Sequence, residues 1–163
     1  MKKVLPWILS LVLFGGTIFA WVTVFRDFAY FRTFVDSYFV FDNPFVKNPL
    51  ATPCFYGAFA FLGGFIWSLF LLRPRMIEVQ KRKFKFLSWF LIFGNIFAWT
   101  NMVILVRSFC LSQATPVFGC SSGPKTWADI FSSSCFIGSS IFLVALIVNV
   151  FIYFLLKQQK YVQ

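Results

Sequence analysis

Four long stretches of the chain are almost purely apolar, and shorter polar segments separate them. They cover residues about 4–25, 53–72, 86–106 and 135–156, and none of them contains Asp, Glu, Lys or Arg. A helix needs about 20 apolar residues to cross the hydrocarbon core of a bilayer. The pattern therefore predicts four transmembrane helices, packed as an all-α antiparallel bundle that forms one membrane domain over residues 1–163.

Composition agrees with a membrane protein. Hydrophobic residues make up 60% of the chain and charged residues 12%, roughly half of the charged share of a soluble domain. The net charge of +10 does not indicate a nucleic-acid-binding protein, because the basic residues lie between apolar runs. The partner expected from composition is the lipid bilayer.

The basic residues divide unevenly between the two sides of the predicted membrane. One side carries Lys2, Lys3, Arg73, Arg75, Lys81, Arg82, Lys83, Lys85, Lys157 and Lys160, opposed only by Glu78. The other side carries Arg26, Arg32, Lys47, Arg107 and Lys125, opposed by Asp27, Asp36, Asp42 and Asp129. The positive-inside rule predicts that both termini and the loop 73–85 are cytoplasmic, and that the loops 26–52 and 107–134 lie outside.

The first span also resembles a signal peptide, because Lys2 and Lys3 precede an apolar run. Cleavage after Ala20 would put Ile18 where a small residue is preferred, and the apolar run continues beyond it. An uncleaved span is the favoured interpretation. The orientation of the later spans is the same in both cases.

The first outer loop carries an apolar pattern of its own. Aromatic and aliphatic residues recur there at helical spacing, namely Phe28, Phe31, Phe34, Val35, Tyr38 and Phe39. Arg32 and Asp36 lie on the other side. This pattern predicts an amphipathic helix in the outer interface of the membrane, which Asn43-Pro44 should end.

Polar and small residues inside the spans predict how the helices pack. An unsatisfied amide in hydrocarbon is costly, so Asn95, Asn101 and Asn149 should face the bundle interior. Asn95 and Asn149 are expected at similar depth, facing one another or a shared polar pocket. Small residues four apart, such as Gly16 with Ala20 and Gly94 with Ala98, favour close approach of the helices.

All four cysteines, Cys54, Cys110, Cys120 and Cys135, lie at or near the predicted outer surface. An even number of cysteines on an oxidising side predicts two disulfides, for which three connectivities exist. The favoured pairs are Cys110–Cys120, which closes a short loop, and Cys54–Cys135, which joins the tips of two helices.

In size, four spans, cytoplasmic termini and outer cysteines, the chain resembles the bacterial disulfide-generating membrane proteins of the DsbB and vitamin K epoxide reductase types. The resemblance covers architecture only and implies a thiol–disulfide oxidoreductase that uses a membrane quinone. Those proteins carry a Cys-x-x-Cys active pair. Here no two cysteines have that spacing, Cys54 stands alone, and only Cys110 with Cys120 or Cys135 resembles the second pair of the DsbB type.

Other chemistry lacks its usual residues. The chain contains no His, the commonest general base and metal ligand. No carboxylate lies within a span, which disfavours a proton or ion pathway. No residue receives a catalytic role, and neither a metal nor a cofactor is expected. The leading hypothesis is a structural or accessory membrane protein that acts through lipid, a membrane-protein partner or a second copy. The alternative is the quinone-linked oxidoreductase implied by the resemblance.

Overall fold

The computed structural model describes residues 4–35, 48–73, 77–111 and 127–158. Within these ranges the chain is helical and contains no strand. The elements are the α-helices α1 (Val4–Arg32), α2 (Pro53–Leu72), α3 (Ile77–Leu111), α4 (Trp127–Phe131) and α5 (Ser134–Gln158), with a 3-10 helix at Pro49–Ala51 between α1 and α2.

Four of these helices are long and apolar enough to cross a membrane. Their spanning segments are Val4–Arg32, Pro53–Leu72, Val79–Arg107 and Ser134–Gln158. Each of them contains one of the four stretches predicted from the sequence. Over the described residues, the prediction of an all-α protein with four helices able to cross a membrane is confirmed, and the chain has the helices of an integral membrane protein.

Two helices are longer than their predicted spans. α1 continues without a break through Arg26 to Arg32, so the first part of the predicted amphipathic helix is the end of α1. The rest of that prediction, residues 36–47, lies outside the described residues. α3 begins at Ile77, which means that the basic residues from Lys81 to Lys85 lie on this helix and not in a loop.

Local sequence explains where the other helices begin. α2 begins at Pro53, where the missing proline N–H would have had no helical partner. The Asn48 side chain caps the preceding 3-10 helix by accepting a hydrogen bond from the Leu50 N–H at 2.9 Å. Before α5, the Ser133 hydroxyl accepts a hydrogen bond from the Phe136 N–H at 3.2 Å, which satisfies a donor in the first turn of the helix.

The four long helices pack around a shared core. α1 contacts α2 and α5, while α3 contacts α5 and α2. The core contains Leu9, Leu13, Phe61, Leu71, Phe84, Leu87, Leu91, Phe142, Ala145 and Ile152. A smaller cluster of Met102, Leu105 and Ile130 joins α4 to α3. It lies at the end of the assembly where α2 and α5 begin, which we call the cysteine end because Cys54 and Cys135 occupy the first turns of these helices.

Candidate functional site

A pocket opens at the cysteine end, and all four long helices line it. Its cavity volume is about 80 Å³. Its lining consists of Phe19, Ala20 and Thr23 of α1, Pro53, Cys54, Gly57, Ala60 and Phe61 of α2, Gly94, Phe97, Ala98 and Asn101 of α3, and Ser134, Cys135, Gly138, Ser139 and Phe142 of α5. Most of these side chains are aromatic or small and apolar, so the pocket suits an apolar ligand.

An aromatic pair forms the floor of the pocket. The rings of Phe61 on α2 and Phe142 on α5 have centroids 4.4 Å apart and meet edge to face. Each ring packs on a glycine of another helix. Phe61 packs on Gly16 of α1 and Phe142 on Gly94 of α3, and a methyl group added to either glycine would overlap the ring. The predicted small residues therefore provide space for aromatic rings at these two positions.

Two sulfur atoms line the pocket at the end where α2 and α5 begin, which we call its mouth. The Sγ atoms of Cys54 and Cys135 are 3.5 Å apart, which is longer than the roughly 2.05 Å of a disulfide bond. The predicted Cys54–Cys135 disulfide is therefore not formed, although the two sulfurs are in contact. Each cysteine lies seven residues before the phenylalanine of its own helix, so about 10 Å separates the mouth from the floor.

The bonding of the sulfurs differs from the predicted pairing. Cys110 and Cys135 are not disulfide-bonded, whereas Cys54 is, and the sulfur bonded to it lies outside the described residues. The predicted Cys110–Cys120 disulfide is not formed, because Cys110, which is exposed, carries a thiol. Cys120 itself lies outside the described residues.

Both pocket cysteines are the second residues of their helices. The N-terminus of a helix carries partial positive charge from backbone N–H groups that lack a helical acceptor. Two such ends meet at the sulfur contact.

The predicted polar contact between Asn95 and Asn149 is not present. Asn95 donates from Nδ2 to the Phe142 carbonyl oxygen on α5 at 3.1 Å. Asn149 donates to the Ser88 hydroxyl on α3 at 2.7 Å. Both amides are buried and join α3 to α5, as interior-facing amides should, but they bind at separate levels.

The amide of Asn101 has a different position from the other two. It lines the pocket and donates from Nδ2 to the Phe97 carbonyl oxygen of its own helix at 2.7 Å. Asn101 and Cys135 both line the pocket. Of the three predicted amides, Asn101 alone belongs to the pocket lining.

Two hydroxyl groups in the pocket were missed by the sequence reasoning. Thr23 donates to the Phe19 carbonyl oxygen at 3.0 Å, and Ser139 donates to the Cys135 carbonyl oxygen at 2.6 Å. Bonds of this kind, four residues back along the same helix, are common for Ser and Thr and can be foreseen from the sequence. Which of the many hydroxyls would line a pocket depends on the packing of the helices.

The site offers sulfur chemistry in an apolar setting. Within the described ranges, no three His, Cys, Asp or Glu side chains cluster as a metal site would require. No family model, no curated protein and no solved structure matches the chain.

Proposed function

We propose that this protein is a membrane thiol–disulfide oxidoreductase that passes electrons from thiols to a quinone-type ring in the pocket. The observation that carries the proposal is the 3.5 Å contact between the Cys54 and Cys135 sulfurs at the mouth of an apolar pocket lined by all four spans. The contact brings together a disulfide-bonded cysteine and a thiol, which are the two reactants of thiol–disulfide exchange.

The proposed chemistry has two balanced steps. In exchange, the Cys135 thiolate attacks the Cys54 sulfur, a Cys54–Cys135 bond forms, and the sulfur previously bonded to Cys54 leaves as a thiolate. Run in reverse, this step returns the bond to that sulfur, and no net oxidation occurs. The oxidation step requires that a dithiol substrate has first reduced the Cys54–Cys135 disulfide by exchange and left as a disulfide. The two thiols of Cys54 and Cys135 would then become a disulfide again and give two electrons and two protons to a quinone, which would leave as a hydroquinone.

The proposal includes an orientation in the membrane. The basic residues of α3 near its start, together with Lys157 at the end of α5, support cytoplasmic termini in an antiparallel bundle. The cysteine end then faces the oxidising side, where disulfides persist. An interfacial segment over residues 36–47 would cover this end of the bundle.

Binding of a quinone ring requires some adjustment of the pocket. The cavity of about 80 Å³ is roughly half the volume at which an engineered apolar cavity binds benzene. The ring must therefore displace a side chain at the edge of the lining. Phe97 is the best candidate, because 46% of its surface is exposed and its movement opens the pocket towards lipid.

The experiment is a turnover assay on the full chain in proteoliposomes with a short-chain quinone and a reduced dithiol peptide. We expect hydroquinone and oxidised peptide to form in equal amounts, and Cys135→Ser to abolish both. Cys110→Ser is the matched control and should retain activity, because Cys110 does not line the pocket. Equal activity of the wild-type protein and Cys135→Ser would show that the pocket sulfurs do not perform the reaction.

A structural or accessory role is the second candidate, and the small cavity is the observation that favours it. In this alternative the sulfurs only stabilise the cysteine end, and the protein acts through lipid, a membrane-protein partner or a second copy. A gel-shift count of reactive thiols in intact membranes, with graded reductant, distinguishes the two. Opening of the Cys54 disulfide near physiological thiol potentials supports the oxidoreductase, and opening only under strong reductant supports the accessory role.

A further inference from the structure

The outward face of α3 changes from basic to aromatic to aliphatic along the helix. Side chains three or four residues apart lie on the same side of an α-helix, and one such series begins where the charged part of α3 meets its apolar span. We call this series the α3 stripe, and it consists of Arg82, Lys85, Phe86, Trp89, Phe93 and Ile96. All six side chains are exposed.

Packing of the opposite face of α3 fixes the direction in which the stripe points. Phe84, Leu87 and Leu91 have no exposed surface and belong to the core that the long helices share. On the side of the stripe, the Phe86 ring packs against the Trp67 ring of α2, with centroids 4.7 Å apart. The bundle therefore holds the start of the stripe in one orientation, facing away from the core.

The charge of α3 favours an anionic partner. The helix contains five basic residues and a single acidic one, which are Lys81, Arg82, Lys83, Lys85, Arg107 and Glu78. Arg82 and Lys85 lie one helical turn apart on the same side, where residues at this spacing have Cβ atoms about 5–6 Å apart. Both side chains can therefore donate hydrogen bonds to the oxygens of one phosphate group.

The length of the stripe matches the depth of one membrane leaflet. Its apolar part, from Phe86 to Ile96, extends about 15 Å along the helix axis. This is half of the roughly 30 Å hydrocarbon core of a bilayer. Trp89 lies near the basic end of this part, and tryptophan is enriched at the boundary between head groups and acyl chains. Charge, aromatic ring and apolar surface thus follow the order of the parts of a phospholipid.

We propose that the α3 stripe binds an anionic phospholipid. Its phosphate group contacts Arg82 and Lys85, and an acyl chain lies along Trp89 and Phe93. A basic residue near an anionic membrane surface strengthens binding by about fivefold, whereas a zwitterionic lipid cancels this gain with its own positive charge. The proposal does not depend on the pocket at the cysteine end. In the proposed orientation the basic end of the stripe faces the cytoplasmic leaflet, which carries the anionic lipids.

The test measures quenching of tryptophan fluorescence by lipids with brominated acyl chains, in proteoliposomes that contain the full chain. The signal of Trp89 is the difference between the wild-type protein and Trp89→Phe. Vesicles of phosphatidylcholine carry a small fraction of either brominated phosphatidylglycerol, which is anionic, or brominated phosphatidylcholine. We expect phosphatidylglycerol to quench Trp89 with at least about fivefold higher apparent affinity.

Two double variants show whether the preference belongs to the stripe. Arg82→Gln with Lys85→Gln should lower the ratio of the two affinities to about one, and Gln keeps the helix propensity of the residues it replaces. The matched control is Lys83→Gln with Lys157→Gln. It also removes two positive charges, but Lys83 lies off the stripe and Lys157 lies in the last turn of α5. The control should keep the preference for phosphatidylglycerol.

Three outcomes would overturn the proposal. The first is equal quenching of Trp89 by the two lipids in the wild-type protein. The second is an equal loss of preference in the two double variants, because the net charge then attracts lipid without a site. The third is no quenching of Trp89 by either lipid, because protein, such as a second copy of the chain, then covers the stripe. None of these outcomes bears on the oxidoreductase proposal, which concerns the cysteine end.

Discussion

Gly94 offers the most direct test of how the helices pack. A Cβ at this position would lie 3.0 Å from Cζ and 3.1 Å from Cδ1 of the Phe142 ring, with Cε1 closer still. The ring cannot retreat easily, because Phe142 is only 3% exposed and rests against Phe61 on its other side. Gly94→Ala should therefore force α3 and α5 apart or push the ring out of its rotamer.

The expected cost follows from two opposing effects. Overpacking of a well-packed core costs about 1–3 kcal/mol. Ala in place of Gly in a helix returns up to about 1 kcal/mol. We therefore expect Gly94→Ala to lower the free energy of unfolding by about 1–2 kcal/mol. Gly15→Ala is the matched control, since nothing lies within 4 Å of an added Cβ there, and it should be neutral or slightly stabilising.

The assay is reversible unfolding in mixed micelles with an increasing fraction of denaturing detergent, followed by far-UV circular dichroism. A second variant tests the cause. Phe142→Leu shrinks the ring that the new methyl group meets, so the double variant with Gly94→Ala should lose about 1 kcal/mol less than the sum of the single variants. Stability of Gly94→Ala equal to that of Gly15→Ala, or strictly additive costs with Phe142→Leu, would refute the packing argument.

Three further predictions concern other contacts. Asn95→Ala and Asn149→Ala should each lower the free energy of unfolding by about 1 kcal/mol through loss of a bond between α3 and α5; Asn101→Ala, which loses only a bond within its helix, should cost less in the same assay. A membrane-impermeant maleimide added from outside should label the exposed Cys110 before Cys135, as mass spectrometry of the digested protein would show; labelling only after membrane rupture would contradict the proposed orientation. Ser133→Ala should cost about 1 kcal/mol through loss of the cap at the start of α5, and an unchanged unfolding midpoint would contradict that role.

The positions of the membrane-spanning segments could be read from the sequence, but the lengths of the helices could not. Charged residues end an apolar span, so the first predicted span ends near Phe25 and the third begins near Phe86. A helix can continue beyond the end of its apolar span, because charged residues also form helices. No proline or glycine interrupts the chain between Arg26 and Arg32, or between Ile77 and Phe86, and both helices continue through these segments.

The error in the amide pairing has a similar origin. Counting residues from the predicted ends of the two spans gives Asn95 and Asn149 a common depth. The register between two helices is set by side-chain packing, and here it places Phe142 beside Asn95 and Ser88 beside Asn149. Counting from the ends was therefore about two helical turns in error, although the burial of both amides was predicted correctly.

By itself, the sequence determined that the protein lies in a membrane, how many helices are long and apolar enough to cross it, and that Asn95 and Asn149 are buried. These features depend on local composition and on the cost of polar groups in lipid, whereas Asn101, predicted in the same way, is only partly buried. The tertiary structure alone decided that Cys54 and Cys135 meet above the Phe61–Phe142 pair. The seven-residue spacing from cysteine to phenylalanine is present in both helices. These four side chains line one pocket only because the rotation and register of α2 and α5 turn the cysteine–phenylalanine face of each helix inward. Contacts between residues far apart in the sequence set that rotation and register.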